Sequence, residues 1–214
     1  MSKDNASGVM TGEYVSKERM ISYYNQSRII KGLGRQVKNI LEIGIRNSLL
    51  SDLLTSSGYN VTTADVNPEL KPDLVLDLTT GFEIPKDKFD AIVLFQVLEH
   101  IPYSDAEKAL KKLAETTRKF VVISLPYETV YFTLRTKFSF TPVPRNALIQ
   151  VPKFWISKPF GEEHEWEMGL KEYPKKRLLN SIQAAGFSIR REFQDALNPY
   201  HYFFVLEKMP QPAS

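Results

Sequence analysis

The chain has 214 residues, a formal net charge of +3 and no cysteine; the length suits one domain with a sizeable core, and the missing thiols exclude a disulfide framework, a thiolate nucleophile and a zinc–thiolate centre. The mild basicity does not by itself imply nucleic acid, and no apolar run reaches the length of a membrane span. The polar start MSKDNASGVMTGEY does not read as a signal peptide, so a cytoplasmic enzyme is expected.

Residues 1–15 read as a mobile tail. Ser16 to Lys31 reads as a helix carrying Tyr23, Tyr24, Ile29 and Ile30 beside Arg19, Arg28 and Lys31. Packing against a sheet accounts for its rings, although Tyr14, Tyr23 or Tyr24 could also touch a ligand. Next comes an apolar run, Ile40, Leu41 and Ile43, ending in Glu42 and Gly44. Leu49, Leu50, Leu53 and Leu54 follow with helical spacing, Gly58 closes that helix, and a β-rich run from Val61 to Ala64 ends in Asp65. This is a strand–turn–helix–strand unit with an acid at the tip of each strand. In an open parallel sheet, ligands sit at those tips, and an acid ending the second strand can accept from ribose hydroxyls. A dinucleotide loop needs G-x-G-x-x-G for close approach to a pyrophosphate. Here Gly44 stands alone before Arg46, Asn47 and Ser48, which favours a nucleoside with a smaller charged tail.

Pro72 to Leu78 is β-prone, contains Asp77, and precedes the turn-like Thr79-Thr80-Gly81. Phe89 to Gln96 is a near-continuous apolar run, as expected for a strand buried on both faces. LEHIP follows, then a helix from Ser104 to Thr117, then a second buried strand from Phe120 to Leu125 halted by Pro126. Strands alternating with helices predict a parallel α/β sheet. Between Tyr127 and Phe160 lie eight aromatics and five Lys or Arg against one acid, Glu128. Pro142, Pro144, Pro152 and Pro159 exclude a long regular helix there. A long aromatic segment of this kind is expected to be a lid or binding loop, over 127–169, with a hydrophobic plug or dimer contact as the alternative. The cluster GEEHEWEMG follows. Pro174 suits a first helical turn, Leu178, Leu179 and Ile182 form a buried stripe, and Gly186 closes that helix. Phe187 to Phe193 reads as a strand, Asn198-Pro199 as a turn, and Tyr200 to Glu207 as the final strand.

The ordered set ILEIGIRNS, TTAD, LVLDLTTGFEIPKDKFDAIVLFQVLEHIP, VVISLP and LLNSIQAAGFSIRR resembles the class I S-adenosylmethionine-dependent methyltransferases, from about Ile40 to Lys208. The block from Asp77 through KFDAIVLFQVLEH is its most specific part. The resemblance implies an α/β, Rossmann-like, doubly wound fold over a single domain, 1–214. Its mostly parallel seven-stranded sheet would carry helices on both faces and an antiparallel last strand inserted beside the fifth. It implies S-adenosyl-L-methionine as cofactor and methyl transfer as the activity. Glu42 would then orient the cofactor's amino-acid portion, and Gly44 would let backbone pass close to the methionine tail. Asp65 would take the ribose hydroxyls, with Val66 beside it. Asp77 and the Leu78 amide would meet the adenine. Phe95 and Gln96 would contact the ammonium and sulfonium end.

Family members read E-x-G-x-G-x-G in this loop, and Arg46 and Ser48 replace the second and third glycines. Arg46 could clamp the cofactor carboxylate bidentately, point to solvent, or block the pocket. Acids at strand ends also serve as caps and turn formers. His164 is the candidate general base, and His100 is expected to be structural, bonding nearby backbone or bounding the cofactor pocket. A metal site is not expected, because Glu and His at this close spacing lack distant partners. The expected acceptor is small or lipid-like. Base stacking keeps an RNA or protein acceptor open, and a non-catalytic cofactor- or partner-binding module is the rival from another class. A short-chain NAD oxidoreductase is disfavoured by the missing glycines and by the lack of a Tyr-x-x-x-Lys pair after the fifth strand.

Overall fold

The computed structural model describes residues 16–140, 142–159 and 161–210. The expected tail over 1–15, Tyr14 within it, and the lid's Phe160 lie outside these residues. Five strands are parallel: β1 (Asn39–Ile43), β2 (Asn60–Asp65), β3 (Leu74–Val75), β4 (Ala91–Phe95) and β5 (Phe120–Pro126). The sheet is completed by β8 (Phe187–Asp195) and β9 (Asn198–Lys208), in the order β3-β2-β1-β4-β5-β9-β8. β9 lies between β5 and β8 and is antiparallel to both, as expected for the last strand.

Alternation along the strands supplies both faces with apolar cover. Leu41, Ile43, Ile92, Leu94, Val121 and Ile123 point to one side, where α3 (Tyr103–Thr116) and α4 (Lys175–Ala184) bury Leu110, Leu113, Leu178 and Ile182 against them. Ile40, Ala91, Val93, Phe120 and Val122 point to the other side, against Ile29, Ile30, Leu50 and Leu54 of α1 (Lys17–Lys31) and α2 (Leu49–Thr55). All seven residues of β5 are buried, which explains its near-continuous apolar sequence, Ser124 being the one polar residue. Ser16 caps α1 by accepting from the Arg19 amide.

Several boundaries differ from the sequence reading. β3 holds two residues only, and Asp77 lies beyond its end. β5 ends at Pro126 but includes it: Pro126 pairs with His201, and the next amide, Tyr127, donates to the Tyr200 carbonyl at 2.8 Å. Asn198 and Pro199 belong to β9, while the chain reverses at Ala196 and Leu197, where Asp195 Oδ1 accepts from the Leu197 amide at 2.9 Å. The aromatic segment contains a separate antiparallel hairpin, β6 (Thr129–Thr136) paired with β7 (Arg145–Pro152). Val130, Phe132, Leu134, Ile149 and Val151 share one face of it and are exposed. The opposite face leans on the β8–β9 end through Thr133 Oγ1 to the Ala196 carbonyl and Gln150 to Gln194. Among the described residues, no helix is long and apolar enough to cross a membrane.

Candidate cofactor and acceptor site

The strand order reverses between β1 and β4, so the crevice for a ligand opens at their carboxyl ends. Glu42, near the end of β1, is 6 % exposed, and its Oε2 is buried without a hydrogen-bond partner. Burial, reinforced by the Asp52 charge, pushes its carboxyl up to about 8. Gly44 follows with φ +83°, and a Cβ there would fall 2.2 Å from Val97 Cγ2. Both the backbone conformation and the space therefore require glycine. Its amide donates to the Ala64 carbonyl at 2.9 Å, which ties the loop to the tip of β2.

Arg46, Asn47 and Ser48 need no glycine. Among the described non-glycine residues, only Lys71, Asp87 and Gln96 have positive φ, so the loop turns through ordinary conformations. Side chains hold it instead. Asn47 Oδ1 accepts from the Leu49 amide, its amide nitrogen donates to the Tyr23 hydroxyl of α1 at 3.0 Å, and Ser48 donates to Asp52 at 2.7 Å. Arg46 is exposed, and its charge reaches His100, helping to lower that imidazole.

Asp65 ends β2 beside this loop. Its Oδ1 accepts from the Asn67 amide at 2.8 Å, and Val66 next to it is 61 % exposed. Asp77 accepts from the Thr79 amide and hydroxyl at 2.8 and 2.7 Å, bonds that hold its carboxyl below the usual range, while Leu78 is buried. Phe95 ends β4. Gln96 then adopts φ +58°, a conformation that costs a non-glycine residue energy and recurs at functional sites. Its amide donates to the Ser124 carbonyl at 3.0 Å and its Nε2 to Ser124 Oγ at 3.1 Å.

Gln96 leads into the short helical turn Leu98–His100, and here the fold brings in His164. Trp166 is buried, and its indole donates to the Leu98 and Ile101 carbonyls at 3.1 Å each; the Glu165 amide donates to the Glu99 carbonyl at 2.8 Å. These bonds clamp the segment 161–169 onto the turn and set the His100 and His164 rings edge to face, 4.8 Å between centroids. His164 Nδ1 lies 2.5 Å from Glu167 Oε1, which also accepts from the Gly161 amide at 3.0 Å. His100 Nδ1 lies 3.1 Å from the Glu163 carbonyl. Partial desolvation of the His100 ring lowers its pKa, with His164 adding to the effect. Glu99 is fully buried, and no other residue's donor reaches either carboxylate oxygen. Burial pushes it up to about 8, its own amide offsets part of this, and Glu167 adds to the rise. The Tyr200 hydroxyl, 3.5 Å from Glu167, is raised by burial and by the surrounding acids.

The cleft thus brings Glu42, Gly44, Phe95 and Gln96 together at the switch point, with Asp65 on the neighbouring strand end. His164 stands apart from them, on the side of His100. Sequence reasoning missed Val97 and Glu99 and gave Asn47 no role beyond replacing a glycine, whereas Glu167 stood in the cluster GEEHEWEMG already singled out around His164. Glu99 left a signal as an acid in the apolar context VLEHIP directly after a buried strand.

The sequence model described as "Methyltransferase domain" matches residues 17–192. Comparison with curated protein sequences gives no match. Among solved structures, the magnesium protoporphyrin IX methyltransferase of Synechocystis PCC 6803, with bound SAM, is similar at a TM-score of 0.60 and 13 % identity, over 89 % of this chain and 80 % of that one. The Burkholderia thailandensis 1,6-didemethyltoxoflavin-N1-methyltransferase, with 1,6-didemethyltoxoflavin and S-adenosylhomocysteine, gives 0.58 and 14 %, over 88 % and 79 %. The N-methyltransferase NodS of Bradyrhizobium japonicum, with S-adenosylhomocysteine, gives 0.58 and 12 %, over 90 % and 88 %. At such identities the structures speak for the fold, and together with the matched sequence model they make the chain a member of the methyltransferase domain family, with the class I S-adenosylmethionine-dependent fold.

Proposed function

We propose that this protein transfers the methyl group of S-adenosyl-L-methionine to a small or lipid-like acceptor. The observation that carries the reading is Glu42, a buried acid with an unsatisfied oxygen beside a position that only glycine can fill, at the switch point of the sheet. Such an oxygen suits the amino-acid end of the cofactor, directly or through water. Asp65 and Val66 serve the ribose side, and Asp77 and Leu78 the adenine side. Phe95 and Gln96 border the sulfonium end. Arg46 pairs with the cofactor carboxylate from the rim of the crevice. When bound, the cofactor supplies an activated methyl, and the protein's own part is to hold donor and acceptor about 3 to 3.5 Å apart and to exclude water.

The acceptor end falls to His164, acting through Nε2 because Nδ1 is engaged by Glu167. A small acceptor is favoured by the aromatic segment that follows β5. Two of the similar proteins named above also carry small-molecule acceptors in their names. Against a non-catalytic module stands the loop itself, since Arg46 to Ser48 replace the glycines without any positive φ and so without backbone strain.

Calorimetry with S-adenosylhomocysteine tests the reading. Asp65→Ala should weaken binding by roughly 1.5 to 3 kcal/mol, the range for hydrogen bonds to charged groups. Equal affinity in a variant that keeps its thermal stability would remove Asp65 from the site.

A further inference from the structure

We infer that Glu99, His100 and His164 form a binding site for a first-row divalent metal ion, which holds an oxygen of the methyl acceptor. One ligand atom from each of the three lies within 4.8 Å of the others. Neighbouring ligand atoms around an ion at about 2.0 to 2.2 Å stand roughly 3 to 3.6 Å apart, so side-chain shifts of about 1 Å would close the set.

Three features separate this group from a chance cluster. Glu99 is a fully buried acid whose two oxygens receive no donor from another residue. Buried charges are otherwise paired or bound to metal. Both imidazoles have Nδ1 committed to an oxygen, Glu167 for His164 and the Glu163 carbonyl for His100. This leaves Nε2 as the free lone pair on each ring. A ligating histidine whose other nitrogen is held by a carboxylate or backbone carbonyl is the usual outer arrangement of a metal site. The outer partners are themselves fixed, since Glu167 is fully buried and also accepts from Gly161 and Tyr200. Arg46 contributes an opposing positive field at His100, and the buried Glu99 supplies the compensating charge as it gives up its proton on binding the ion. The distant partners that the sequence around His164 lacks are supplied by the turn after β4.

Two imidazoles and one carboxylate suit manganese, iron or zinc and leave coordination positions open. For its meaning the inference rests on the methyl-transfer reading, and it narrows the acceptor to an oxygen nucleophile, a hydroxyl or carboxyl group. In the transfer, the carbon–sulfur bond breaks with its electron pair remaining on sulfur, and a carbon–oxygen bond forms. The oxygen's proton, acidified by the cation, leaves to water. His164 then acts as a ligand in place of the simple general base expected from the sequence.

The test uses the full chain, stripped with chelator and titrated with Mn²⁺ by electron paramagnetic resonance and with Zn²⁺ by calorimetry. One saturable site per chain is expected, weakened at least about tenfold in His100→Ala and Glu99→Gln and more modestly in Glu167→Gln. His100 is exposed, so its variant should fold normally, and Glu99→Gln keeps the shape while removing the carboxylate ligand. Absence of saturable binding of both ions overturns the inference, and so does an affinity unchanged in both His100→Ala and Glu99→Gln. S-adenosylhomocysteine affinity, measured on the same samples, should be unaffected by either substitution. Cofactor binding without metal binding sinks the metal site alone, whereas metal binding without cofactor binding sinks the methyltransferase reading alone.

Discussion

A methyl group at Gly44 would meet Val97 Cγ2 at 2.2 Å on a backbone with φ +83°. Gly44→Ala should therefore destabilise the protein by about 1 to 3 kcal/mol through backbone strain alone and should also lower S-adenosylhomocysteine affinity. Adding Val97→Ala should return the steric part and leave the backbone part, as denaturant titration of the single and double variants would reveal. Equal stability of Gly44→Ala and wild type would contradict the close approach. Arg46 lends itself to a separate measurement. Arg46→Ala should reduce affinity for the cofactor, and decarboxylated S-adenosylmethionine should bind the wild type poorly. An Arg46→Gly variant that binds more tightly would instead make Arg46 an obstruction. At this scale the sequence was legible where a residue plays a single role, and Gly44, Asp65 and the acid Glu42 all fall at strand ends beside the crevice. Glu99 was not legible as a site residue, because its significance lies in lost solvent and in the segment 161–169, more than 60 positions away, whose Glu165 amide donates to its carbonyl.

The element that braces the crevice is α1. Its Tyr23 meets Asn47 of the glycine-poor loop, and Ser22 Oγ lies 2.7 Å from Nδ1 of His201 on β9. Burial, helped by the Arg19 charge, lowers the His201 pKa from 6.5 to about 4. The folded state therefore binds fewer protons here than the unfolded chain between these values. The sign follows directly: this contribution to stability is fully present above about pH 6.5 and is lost as pH falls towards about 4. For a largely buried ring the effect is on the order of 2 to 3 kcal/mol. Thermal melts of His201→Gln should lose much of the wild-type slope across that window, and a parallel slope would assign the pH dependence to other groups. The β6–β7 hairpin marks where element-level reading stopped. Its prolines excluded a helix, yet apolar side chains on its exposed face hid the strand alternation. Asn198-Pro199 misled in the other direction, since the tight reversal uses Ala196 and Leu197.

Over the whole molecule, the parallel strands were readable because buried strands leave near-continuous apolar runs, as β4 and, with Ser124 its one polar residue, β5 do. The antiparallel β9 came only from resemblance, as neither spacing nor composition says which edge a last strand joins. The strand order creates the switch point between β1 and β4, where the proposed cofactor site lies. The most direct measurement is a calorimetric titration of S-adenosylhomocysteine into the wild-type chain. Saturable binding at one site per chain is the expected outcome. Absence of heat with both S-adenosylhomocysteine and S-adenosylmethionine, for a protein that melts cooperatively, would overturn the assignment of the crevice to this cofactor.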